Sequence, residues 1–126
     1  MERPLLPKVH AVFIHVSHLR RSAIWYSQLL GVPVNKSEVQ SPVYNLSIEG
    51  ETFLTLDDHK YDPFYEPQPY KNPAFSICSE DLKKTYNWIR SEGYEIVSDI
   101  EVEGDFGWFN ITDPDRNVIM ICGKLM

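Results

Sequence analysis

The chain has no long apolar run. Its longest hydrophobic stretches are a few residues, far short of the roughly 18–20 that a membrane-spanning helix requires. Cysteine is scarce: Cys78 and Cys122 are the only two, too few for a disulfide framework, so a reducing cytoplasm is the expected setting. Residues 1–10, MERPLLPKVH, carry two prolines and no apolar core, so no signal peptide is expected. Positive charge is also short, and the net charge of −6 argues against nucleic acid, which needs a basic stripe. It is compatible with a cationic or neutral small ligand. There is no serine-histidine-acid order, P-loop, dinucleotide fingerprint or zinc-finger spacing, and the DFG within Glu103–Gly107 has no kinase context. What remains is 126 residues, 43% hydrophobic and 13% aromatic, enough for the packed interior of one domain or of two small halves.

The segment AVFIHV is β-branched and aromatic, as strands prefer. A helix is expected next over SHLRRSAIWYSQLLG. Ser17 or His18 lies near its N-cap, Leu19, Ala23, Tyr26 and Leu30 recur at helical spacing, and Gly31 offers a left-handed stop. Three strands then follow, VPVNKSEV, VYNLSIEG and ETFLTLDD, the last two turning at Glu49-Gly50. The order is β-α-β-β-β, and the second half repeats it. A strand begins AFSIC, a helix opens near Ser79 and Asp81 and closes at Gly93, and VSDIEV, GWFNITDP and RNVIMICG read as strands. Module 1 spans about residues 8–58, a proline- and aromatic-rich linker about 59–72, and module 2 about 73–124.

The repeat holds residue by residue. VYNLSIEGETFLTLD lies over WFNITDPDRNVIMIC without a gap, pairing Asn45 with Asn110 and Thr55 with Met120, and HLRRSAIW lies over DLKKTYNW. Each sheet has a face that it cannot cover alone. The expected fold is α+β, two tandem βαβββ modules whose mixed sheets form a cup-shaped cleft.

Val16-Ser17-His18-Leu19, Arg21-Ser22, Trp25-Tyr26, Leu30-Gly31 and the turn Asp113-Pro114-Asp115-Arg116-Asn117 together resemble the vicinal-oxygen-chelate superfamily, over about residues 8–123. That group includes glyoxalase I, the bleomycin-resistance proteins and the extradiol dioxygenases. The resemblance implies a homodimer and a divalent ion held by one residue near the start of each module's first strand and one in each last strand. Those positions here are Ala11, Ala74, Thr55 and Met120. Alanine and methionine are not ligands for a hard cation and threonine is a poor one, so no metal is expected at the usual site.

Alternation along a strand fixes which side chains face the cleft. His10 should point away, whereas His15 shares parity with Ala11 and Phe13. His15 is therefore the best candidate for a ligand contact or a general base near neutral pH. His18 reads as a solvent-facing cap, and Asp58 and His59 as a solvated loop. The expected ligand-binding set is Phe13, His15, Phe53, Thr55, Asp57, Ser76, Cys78, Trp108 and Met120, with Val118 and Cys122 of the same parity. Linker aromatics Tyr61, Phe64, Tyr65 and Tyr70 are placed to close over it or to cover sheet edges. Trp25 and Trp88 are expected to pack helix on sheet, and both cysteines to be buried. A metal site using His15, Asp57 and water would be a thin shell, and the sequence shows no third protein ligand for it.

The leading expectation is a small organic ligand bound without the usual catalytic metal and without a cofactor. The alternatives are a metal-dependent lyase, isomerase or dioxygenase with shifted ligands such as His10, His15 or Asp57, and an interaction protein whose cleft is filled by its own side chains.

Overall fold

The structure, a computed structural model, describes residues 2–125. The chain is α+β and divides into two compact units, one running to Glu66 and the other starting at Pro67.

The first unit contains β1 (Ala11–His15), α1 (Leu19–Leu30), β2 (Val43–Leu46) and β3 (Phe53–Asp57). Helix α1 stops at Gly31, whose φ of 68° suits a residue without a Cβ and whose N–H reaches the Ser27 carbonyl. His18 occupies the N-cap without a side-chain cap bond. The strand expected over VPVNKSEV does not form. The Asn35 side chain accepts from the Ser37 N–H, and Lys36–Glu38 coil into a single 3-10 turn. A local side-chain bond thus gives the backbone an alternative to sheet pairing.

Strand β3 lies centrally, parallel to β1 and antiparallel to β2. The register makes two rows across the sheet, Phe13–Thr55–Asn45 and His15–Asp57–Val43. Ile14, Leu46, Leu54 and Leu56 are buried, as are Leu19, Ala23 and Tyr26 of α1, which packs on β2 and β3. These residues form the core of the unit, and burying such side chains contributes roughly 1.5–3 kcal/mol each. The opposite parity, Phe13 and His15, is left for the open face.

The second unit contains β4 (Ser76–Ser79), α2 (Leu82–Ser91), β5 (Glu95–Ile96), β6 (Glu101–Glu103), β7 (Phe106–Thr112) and β8 (Val118–Lys124). The sheet order is β4-β8-β7-β5, with β6 also paired to β7. Of the stretch expected as one strand, VSDIEV, only Glu101 and Val102 are in a strand, β6, and an extra short strand, β5, forms ahead of it. Asp81 caps α2 by accepting from the Lys84 N–H at 3.2 Å. Along β7 and β8 the buried residues alternate strictly: Phe109 and Ile111, then Ile119 and Ile121. Trp108, Met120 and Cys122 take the other, half-buried face.

Two expectations fail here. Trp88 is 41% exposed, with its ring centroid 5.9 Å from that of Tyr94 and the planes tilted by 44°. The buried stripe of α2 runs through Leu82 and Ile89, and Trp88 sits about 100° around the helix from Ile89. Trp25 is half-buried, with its ring against Tyr26. Cys78 is exposed and Cys122 only half-buried, because β4 is an edge strand and the pair occupies the open face.

The Asp113–Asn117 turn is a closed hydrogen-bond network. Asp113 Oδ1 accepts from the N–H groups of Asp115 and Asn117, both at 2.9 Å, and Oδ2 accepts from Asn117 Nδ2. Asn117 Oδ1 in turn accepts from the Tyr70 N–H, and the Val118 N–H donates to the Tyr70 carbonyl. Among the described residues, no helix is long and apolar enough to cross a membrane.

Candidate functional site

On the open face of the first sheet, β1 and β3 end side by side at His15 and Asp57. The chain then turns sharply. The His59 N–H donates to Asp57 Oδ1 at 2.9 Å, and His59 itself has a φ of 55°. This is an Asx-type turn followed by a left-handed residue, a conformation in which histidine is over-represented. It swings the His59 imidazole back over the sheet, so that its Nε2 lies 2.6 Å from His15 Nδ1. In the absence of a cation, one ring donates and the other accepts.

Tyr65 stacks on His59 with ring centroids 3.6 Å apart and planes at 2°, and it also meets the His15 ring at 5.9 Å. Asp57 Oδ2 is 3.8 Å from His59 Nε2, and Asp62 Oδ2 is 3.8 Å from His59 Nδ1. The His59 side chain is only 14% exposed, so its reading as part of a solvated loop is corrected: it is a central member of the cluster. Burial lowers the His15 pKa from its usual value, the neighbouring His59 lowers it further, and Asp57 opposes both.

The other expected residues are distributed as follows. Phe13 is 47% exposed beside His15, and Phe53 is half-buried with its ring against His10. Thr55 is 4% exposed and its hydroxyl donates to Asn45 Oδ1 at 2.7 Å. In the second unit, Ser76 pairs with Met120 and Cys78 with Cys122. The Trp108 indole N–H donates to Glu101 at 2.8 Å. Of the linker aromatics, Tyr65 covers the histidines, Tyr61 and Phe64 are exposed, and the Tyr70 backbone is tied to the Asp113–Asn117 turn. The structure thus brings together His15 and Asp57 of the expected set and adds His59, Tyr65 and Asp62. The signal that marks His59 is the spacing Asp-x-His at the end of a strand, where the acid can cap the turn that reverses the chain. An open groove of about 890 Å³ beside Leu5, Leu6, Val9 and Glu51 involves none of these groups.

At the four positions where the resemblance implies metal ligands, the side chains are poor donors for a hard cation. Ala11 and Ala74 have no donor atom, Met120 offers a thioether, and the Thr55 hydroxyl is engaged with Asn45.

Two successive α+β units, each a mixed sheet with one helix, are the architecture of a glyoxalase-like protein, and comparison with known proteins agrees. Residues 8–121 match the model of the Glyoxalase/Bleomycin resistance protein/Dioxygenase superfamily, and the chain belongs to that superfamily. It is 26% identical over 94 residues to the metallothiol transferase FosB of Staphylococcus haemolyticus, an alignment spanning 74% of this chain and 66% of that protein. In fold it is similar to a superfamily member from Sphaerobacter thermophilus, with a TM-score of 0.73 at 18% identity over 94% of this chain and 98% of the other. A glyoxalase/dioxygenase from Nostoc punctiforme aligns with a TM-score of 0.68 at 18% identity, over 98% of each chain.

Proposed function

We propose that the protein binds a small organic molecule over the open face of its first sheet, without a metal at the positions its superfamily generally uses. The observation that carries this reading is the row beside β1. There an exposed Phe13 adjoins half-buried His15 and Asp57, an apolar platform bordered by two hydrogen-bonding groups, which is the usual composition of a small-ligand site. His15 accepts or donates a proton at the ligand, and Phe13 supplies the apolar contact. The two free thiols suit a cytoplasmic setting. The exposed Leu5, Leu6 and Val9 are the surface on which a homodimer would form.

A thermal-shift screen of the EDTA-treated protein against small cationic, aromatic and dicarbonyl compounds tests the reading. A true ligand at 100-fold excess over its Kd stabilises the protein by about 2.7 kcal/mol, and Phe13→Ala reduces that shift. Absence of a shift with every compound class would remove the proposal in favour of an interaction protein.

A further inference from the structure

We infer that His15, Asp57 and His59 form a divalent transition-metal site of two imidazole nitrogens and one carboxylate oxygen, displaced along the strands from the place its superfamily uses. The inference goes beyond the ligand-binding reading and stands on different observations.

The first observation is the donor set. Each of the three residues offers a ligand atom, and the three atoms lie within 4.8 Å of one another. Two nitrogens bound to one zinc-like ion stand about 3.3 Å apart, given Zn–N bonds of about 2.0–2.1 Å. The present separations of 2.6 Å from His15 Nδ1 to His59 Nε2 and 3.8 Å from His59 Nε2 to Asp57 Oδ2 fall on either side of that value. A cation would spread the nitrogens by less than about 1 Å and draw in the carboxylate, by about 0.5 Å relative to His59 and by up to about 1.5 Å relative to His15, since the three atoms span no more than 4.8 Å.

The second is support around the ligands. Asp57 Oδ1 is already fixed by the His59 N–H at 2.9 Å, which aims the second carboxylate oxygen at the cluster. Asp62 faces the other nitrogen of His59 at 3.8 Å, where a carboxylate commonly orients a metal-bound imidazole. The Tyr65 ring, stacked at 3.6 Å, restrains the rotation of His59. The third is placement. His15 and Asp57 are register partners at the adjoining ends of β1 and β3, so two of the three ligands stand on the sheet rather than on a loop.

Two imidazoles with one carboxylate favour zinc, nickel, cobalt or iron(II) over calcium and magnesium, which prefer all-oxygen shells. Three protein ligands on one side leave positions for water or for a ligand with oxygen donors.

The test titrates the full-length, EDTA-treated chain with Zn2+, Ni2+ and Co2+ by calorimetry. One equivalent is expected per chain, with a visible Co2+ spectrum. His15→Gln and His59→Gln each abolish the spectrum, Asp62→Asn weakens binding about 10–100-fold, and His10→Gln leaves it unchanged. A measurement independent of variant folding is the long-range 1H–15N histidine spectrum of the unaltered protein. Zn2+ is expected to shift the His15 Nδ1 and His59 Nε2 signals and not those of His18. Failure of the apo protein to take up any of the three ions overturns the inference, as does stoichiometric uptake that survives in the His15→Gln/His59→Gln double variant. Either failure leaves the EDTA-treated ligand screen untouched, so the two readings fall separately.

Discussion

The Thr55 hydroxyl, on a residue only 4% exposed, donates to Asn45 Oδ1 across the β2–β3 pair at 2.7 Å. The bond occupies the side chain at one of the strand positions where the resemblance to the vicinal-oxygen-chelate superfamily implies a metal ligand. Removing the hydroxyl without changing side-chain shape deletes that bond, and the exposed Asn45 amide can turn to water instead. Thr55→Val is therefore expected to lower stability by no more than about 0.5–1.5 kcal/mol in urea denaturation, while leaving cation uptake at His15, Asp57 and His59 unaltered.

Asn110 holds the same place in the second half, opposite Met120 rather than a threonine. Its Oδ1 is buried and has no hydrogen-bond partner among the described residues. The comparison of Met120→Thr with Met120→Val isolates one hydroxyl on nearly the same shape. The threonine variant is expected to be more stable by about 0.5–1.5 kcal/mol, read as the difference between their urea midpoints at equal slope.

In metal-free protein, His15 takes up its proton less readily than a free histidine, chiefly because of burial and then because of His59. The unfolded chain, with an ordinary value near 6.5, then binds more protons than the folded one at mildly acidic pH. Stability present above about pH 6.5 is lost as the pH falls through the lower, native value. His15→Gln is expected to flatten that decline in denaturation midpoints measured between pH 7.5 and 5. A histidine titration by NMR is expected to place the His15 midpoint below that of an unperturbed imidazole; a midpoint at or above it would contradict the burial argument.

Gly123 pairs with Ser79 in the parallel β4–β8 ladder, and a Cβ at Gly123 would stand 2.2 Å from the Ser79 carbonyl oxygen. That neighbour is backbone and cannot swing aside. Gly123→Ala is expected to cost about 1–3 kcal/mol or more and to loosen β4, seen as faster amide hydrogen exchange at Ile77 and Ser79.

Much of this architecture is legible in the sequence because sheet parity and internal repetition are simple rules. The strict alternation of Phe109 and Ile111 with Trp108 and Asn110 is written in the residue types, and so is the facing of Phe13 and His15. His59 escapes that reasoning. Its position follows from a turn made by the Asp57 carboxylate, a left-handed backbone and a tyrosine six residues further on, and none of these has a period. The strand expected at VPVNKSEV fails for a related reason, since one asparagine side chain outcompetes the pairing that β-propensity favours. The exposure of Cys78 depends on β4 lying at the sheet edge, a matter of strand order rather than of local composition.

The Asp113–Asn117 turn, the most recognisable string in the chain, spends the Asp113 carboxylate on its own N–H groups and the Asn117 amide, and the Asn117 oxygen on the backbone of Tyr70. It works as a buckle that fastens the incoming connector to the start of the final strand, and no reagent needs to visit it. Those five residues therefore speak to how this sheet is closed, and the groups with chemistry to offer stand on other strands.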